Sequence, residues 1–151
     1  MSPTNCQKYG GKSVMISTVM LWFFARPIVT MKGKIPGEKY REILADQVHP
    51  MKQSLLPAKG GIFQVDNAPF YAAGIVQSWF DEYMDNAKHL LWPTQSPNLN
   101  IIEPLWSILE LLVHNRYPPH VSLPQLSQYI HEEWYNIPLN TIQKLHELIP
   151  R

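Results

Sequence analysis

One cysteine, Cys6, stands alone in 151 residues, so a disulfide framework is excluded. With no acid, base or metal-ligand constellation around it, Cys6 reads as an ordinary thiol. Net charge is scarce as well. Thirteen Lys and Arg against twelve Asp and Glu leave +1, which excludes a DNA clamp built on bulk charge and leaves any nucleic-acid role to rest on a site. Disorder is excluded by composition: 11% of residues are aromatic and 45% hydrophobic, whereas unfolded chains are poor in aromatics and strongly charged. Long apolar runs are missing too. Val14 to Ala25 falls short of the roughly 20 apolar residues a membrane span needs. It also makes a poor secretory leader, because Phe23 and Phe24 precede Ala25 where small residues would stand and Arg26-Pro27 follow at once. Its Val, Ile, Thr, Trp and Phe content reads as buried β-structure, against the alternative of a secreted or anchored small protein built on this run. What remains is one domain, long enough to bury roughly 68–70% of the surface its unfolded chain exposes.

Two β-like runs, Val14 to Phe23 and Ile28 to Met31, are close enough to form an antiparallel hairpin ending at Gly33. A helix follows from Pro36, with Tyr40, Ile43, Leu44 and Val48 at helical spacing and a stop at His49-Pro50. Gly61 to Val65 reads as a short buried strand that delivers Asp66 at its carboxyl end. Ile75, Val76, Trp79, Phe80 and Tyr83 then form one helical stripe, and Lys88 to Leu91 one more strand. The last third is helical. Ile102, Leu105, Trp106, Leu109, Leu112 and Val113 repeat near 3.6 residues up to Tyr117-Pro118-Pro119, Ser122 to Gln125 is a capping-box pattern, and Ile142, Leu145 and Ile149 suggest a short closing helix. Strands and helices in front of helices alone indicate an α/β or α+β sheet with a helical C-terminal flank.

Two motifs carry the chemistry. Val65-Asp66-Asn67-Ala68-Pro69 sets a carboxylate where a strand turns, and Ser96 to Glu103 sets another in the first turn of a long amphipathic helix. Carboxylates are hard oxygen ligands suited to Mg²⁺ or Mn²⁺, and a pair of such ions can activate a water and stabilise the leaving oxygen of a phosphodiester. Locally, each acid has a structural reading beside this one: Asp66-Asn67 is also turn chemistry, and Asn100 with Glu103 is also a capping box. The six histidines show no metal-ligand spacing. Trp79, Trp106 and Trp134 fall on core stripes, whereas Trp92, beside Pro93, is placed where it could meet a ligand.

At these motifs the sequence resembles the catalytic domain of the mariner superfamily of cut-and-paste DNA transposases, the DDE endonucleases of the Tc type. The resemblance runs through Gly11 to Met15, Tyr40 to Leu44, Gln64 to Pro69, Val76 to Phe80, Leu91 to Pro93, Gln95 to Pro97, Leu99-Asn100, Ile102-Glu103 and Leu105-Trp106. It implies an RNase H-like fold of mixed sheet and helices in which three acids hold two Mg²⁺ or Mn²⁺ ions, for strand hydrolysis at a transposon end and joining to target DNA. By position, Asp66 is the second acid and Glu103 the third, as catalytic residues and metal ligands. DNA is the implied partner, the nucleus the implied location, and no membrane or small-molecule substrate is implied.

The sequence departs from that pattern in ways that matter. The first acid should lie on the sheet's first strand, upstream of Ser13, and no Asp or Glu precedes Ser13 here. Ser17-Thr18, Phe24, Tyr71, Asn98 and Ile101 also stand where the family usually has other residues. The expectation is therefore a disordered remnant over 1–12, then an incomplete DDE domain over 13–151 that lacks its first strand and is inactive alone. With one ligand removed, at least one metal would be held weakly. The alternative is a non-enzymatic module, derived from a transposase, for protein binding or homodimerisation.

Overall fold

The computed structural model describes residues 7–9, 12–21, 24–32, 36–50, 53, 62–64, 74–83, 88–90 and 99–149. They belong to two compact units, one spanning Ser2–Gly33 with Gln95–Arg151, the other Lys34–Thr94.

In the first unit, strands β1 (Gln7–Tyr9), β2 (Lys12–Leu21) and β3 (Phe24–Lys32) form an antiparallel sheet in that order. The hairpin pairs Val14 with Lys32 and Thr18 with Ile28. Pro27 reads as a boundary in the sequence, yet β3 runs through it. The ladder shifts between Thr18 and Met20, across from Pro27, so the missing proline N–H falls where the pairing is already irregular. β1 lies within the stretch expected to be unstructured. No apolar alternation announces it, and its three residues are held by backbone pairing to Lys12–Val14; residues 1–6, 10 and 11 lie outside the described residues.

Helices α3 (Ile102–His114), α4 (Leu123–Asn136) and α5 (Leu139–Glu147) complete this unit. Their apolar stripes bury Leu105, Trp106, Leu109, Leu126, Ile130, Trp134 and Ile142 in one cluster with Val14, Ile16 and Ile28 of the sheet. Trp106 and Trp134 meet with ring centroids 5.6 Å apart. Val14, Ile16, Ser17 and Thr18 of the apolar run are thus buried in a β-strand, and among the described residues no helix is long and apolar enough to cross a membrane.

The second unit contains helix α1 (Gly37–Ile43), strand β4 (Ile62–Gln64), helix α2 (Gly74–Tyr83) and strand β5 (Lys88–Leu90). Tyr40, Ile43, Leu44 and Val48 are buried, as are Val76, Trp79 and Phe80 of α2, as their spacing requires. Helical backbone includes both His49 and Pro50, where a stop is expected, and residues 51 and 52 lie outside the described residues. Leu44–Val48 forms a π-helical turn, and His49 N–H donates to the Leu44 carbonyl. The wider turn relieves the clash a proline ring makes with the carbonyl four residues back.

Candidate active site

Strands β4 and β5 pair in parallel, Ile62 with Lys88 and Gln64 with Leu90, so both end at the same sheet edge. Ligands of α/β sheets gather at such carboxyl ends. In the sequence Asp66 follows Gln64, the last residue of β4, by two positions; it lies outside the described residues, as does Trp92 two positions beyond β5.

Glu103 is described in full. It occupies the first turn of α3, exposed, where the helix's unpaired N–H groups favour negative charge. The turn is fixed from both sides. Asn100 Oδ1 accepts a hydrogen bond from Ile102 N–H at 3.1 Å, and the Ser107 hydroxyl donates to the Glu103 carbonyl at 3.4 Å. The side-chain bond shown for Asn100 goes to the residue two positions on, Ile102. Below the first turn, Ile102, Leu105, Trp106 and Leu109 bury the opposite face, so Glu103 is held outward by the core. Among the described residues the ion pairs run from Arg116 to Glu132 and Glu133, which leaves the Glu103 carboxylate outside them. A solvent-facing carboxylate of this kind is a fitting hard donor for Mg²⁺ or Mn²⁺. No group of three or more His, Cys, Asp or Glu that could hold a metal occurs among the described residues.

Other polar groups fix the frame around α3, and sequence reasoning missed them. Thr30 Oγ1 lies 2.6 Å from Ser127 Oγ and 3.3 Å from His131 Nε2, tying β3 to α4 across about a hundred positions of sequence. Partial burial holds the His131 imidazole below its ordinary pKa. After α3, Arg116 bonds Glu132 and Glu133, and its guanidinium sits 4.0 Å from the centroid of the Tyr129 ring. Hydrogen bonding to Glu132, aided by the charge of both carboxylates, raises the Arg116 pKa. The Glu132 carboxyl is in turn held low, first by Gln128 and then by Arg116. No local pattern in the sequence marks these contacts.

The family model described as DDE superfamily endonuclease matches residues 4–123. The chain belongs to the DDE superfamily endonucleases. The transposable element Tcb1 transposase of Caenorhabditis briggsae is 31% identical to this DDE chain over 144 residues, covering 95% of it and 51% of the relative. The chain thus spans about half the length of the curated relatives it matches. Two solved structures share its fold. The catalytic domain of Mos1 transposase with raltegravir and Mg superposes with a TM-score of 0.76 at 17% identity, over 97% of this chain and 78% of the other. The catalytic domain of Mos1 mariner transposase gives 0.79 at 15% identity, over 97% and 75%. The fold expectation holds: this DDE chain is RNase H-like.

Proposed function

We propose that this chain is catalytic-domain sequence of a cut-and-paste DNA transposase, with Asp66 and Glu103 as metal ligands and DNA as partner. The observation that carries the reading is the family match over residues 4–123, which includes both acid motifs, with Glu103 presented to solvent on a rigid helical turn. When bound, Mg²⁺ or Mn²⁺ supplies Lewis-acid activation for phosphodiester hydrolysis and strand transfer. The chain's own contribution is to hold two carboxylates: Glu103 on α3, and Asp66 after β4. The Mos1 catalytic domain with raltegravir was solved with Mg, which supports the same metal class here. A nuclear location follows from action on chromosomal DNA.

Residues 1–37 contain neither Asp nor Glu, so they supply no first acid. Two of three ligands leave the site short of negative charge, and the chain alone is proposed to bind metal weakly and not to cut. The test is a Mn²⁺ titration read by paramagnetic NMR broadening, run beside nicking of supercoiled plasmid. Broadening around Asp66 and Glu103 that Asp66→Ala or Glu103→Gln weakens, without nicking, is the expected result. Broadening indifferent to both substitutions would overturn the metal assignment. Nicking abolished by Asp66→Ala would overturn only the claim of inactivity.

A further inference from the structure

The near-zero net charge conceals a segregation. Residues 1–37 carry Lys8, Lys12, Arg26, Lys32 and Lys34 and no acid, while all twelve Asp and Glu begin at Glu38 and face the other eight Lys and Arg. An asymmetry of this kind within one chain points to a polyanionic partner for the basic part.

Strand pairing gathers three of these cations at one end of the sheet. Lys8 is opposite Ser13, Tyr9 opposite Lys12, and Val14 opposite Lys32. Lys12 and Val14 are two residues apart on β2, so the positions of Lys12 and Lys32 are diagonal neighbours on one face, about 7–8 Å apart. Lys8 stands one strand beyond β2, at a position of the other face. Lys32 is exposed. Strands β1, β2 and β3 contain no carboxylate, and among the described residues the ion pairs belong to Arg116.

We propose that this end of the sheet, Lys12 and Lys32 with Lys8 beside them, is a contact surface for the phosphate backbone of duplex DNA. The proposal rests on the transposase reading for the identity of the polyanion, and adds where the backbone is held, apart from the metal-binding acids. The spacing suits the partner: each DNA strand carries one charge per nucleotide, and two cations about 7–8 Å apart are far enough apart to meet separate phosphates. Such contacts fix position without reading sequence and need no metal.

The experiment is binding of the full chain to a fluorescent DNA duplex in EDTA across a range of salt concentrations, which removes metal chemistry from the readout. Neutralising two phosphate contacts lowers the slope of log K against log salt by about 1.8, so Lys12→Gln with Lys32→Gln should flatten it by that much, and Lys8→Gln by up to about 0.9 more. The paired variant Lys12→Arg with Lys32→Arg keeps the charge and should keep the slope, which separates lost contacts from lost folding. An unchanged slope in the Gln variants would overturn the contact surface while leaving the Mn²⁺ result, and with it the transposase reading, untouched. A wild-type chain that binds duplex without salt dependence would overturn it equally.

Discussion

Tyr129 donates its phenolic hydroxyl to the Pro118 carbonyl at 2.9 Å, so helix α4 grips the loop by which the chain leaves α3. The ring is buried, with the Arg116 guanidinium beside it. Tyr129→Phe keeps the packing and removes two hydrogen bonds, the one to Pro118 and one accepted from the Gln125 side-chain amide at 3.3 Å, at a cost of about 2 kcal/mol. Tyr129→Ala also opens a cavity, and should cost about 3–5 kcal/mol as other aromatic truncations do. Urea denaturation of both variants checks the ratio. Equal losses would mean that the hydroxyl, not the ring, holds the loop.

Ser122 is the N-cap of α4, and its Oγ accepts from Gln125 N–H at 3.3 Å. The Gln125 side chain returns the bond one residue early, to Val121 N–H at 2.9 Å instead of to the cap itself. Both donors belong to the helix entrance, so Ser122→Ala should cost about 1 kcal/mol and Ser122→Gly only a few tenths. Thermal melts of the pair give the comparison. An Ala variant as stable as wild type would show that the entrance is set by packing alone.

These elements also show what a sequence can announce. The capping pattern at Ser122, the period from Ile102 to Val113 and the β-rich run at Val14 depend on neighbours within a few residues, so they are legible in the sequence alone. Glu103 is legible in the same way, as a carboxylate in a first helical turn. The tie from Thr30 to Ser127 is not, because its partners are 97 positions apart and neither sits in a motif. The helical backbone at Pro50 itself is hidden for another reason: a proline is excluded from a helix only while the preceding turn stays α-helical, and Leu44–Val48 does not.

His131 and His146 are both held below their ordinary value of 6.5 by burial, which disfavours the imidazolium. The unfolded chain therefore takes up protons first as pH falls, and it binds more of them than the folded chain between the two values. Their contribution to stability is complete above about pH 6.5 and is lost as pH drops through the lowered folded values. Glu132, with a depressed carboxyl, acts in a separate window: its contribution is lost below its ordinary 4.5. The melting temperature should thus fall in two steps on acidification, and His131→Gln should shrink the upper one. A flat profile between pH 7.5 and 5.5 would rule out the upper step.

Glu103 offers the cleanest separation of structural from functional roles. As an exposed acid in a first turn it interacts with the N-terminal end of the α3 dipole, an effect of about 0.3–1 kcal/mol that is reduced by salt. In EDTA and moderate salt, Glu103→Gln should therefore melt within a few degrees of wild type. Metal changes the comparison, because a ligand bound only by the folded state stabilises it by about 2.7 kcal/mol at a hundred times its dissociation constant. Wild type should gain stability with added Mn²⁺ and Glu103→Gln should gain less, with Asp66→Ala behaving alike. Equal gains in all three chains would place the metal elsewhere and leave Glu103 a helix-end charge. A large loss for Glu103→Gln already in EDTA would instead mean that the carboxylate belongs to the fold.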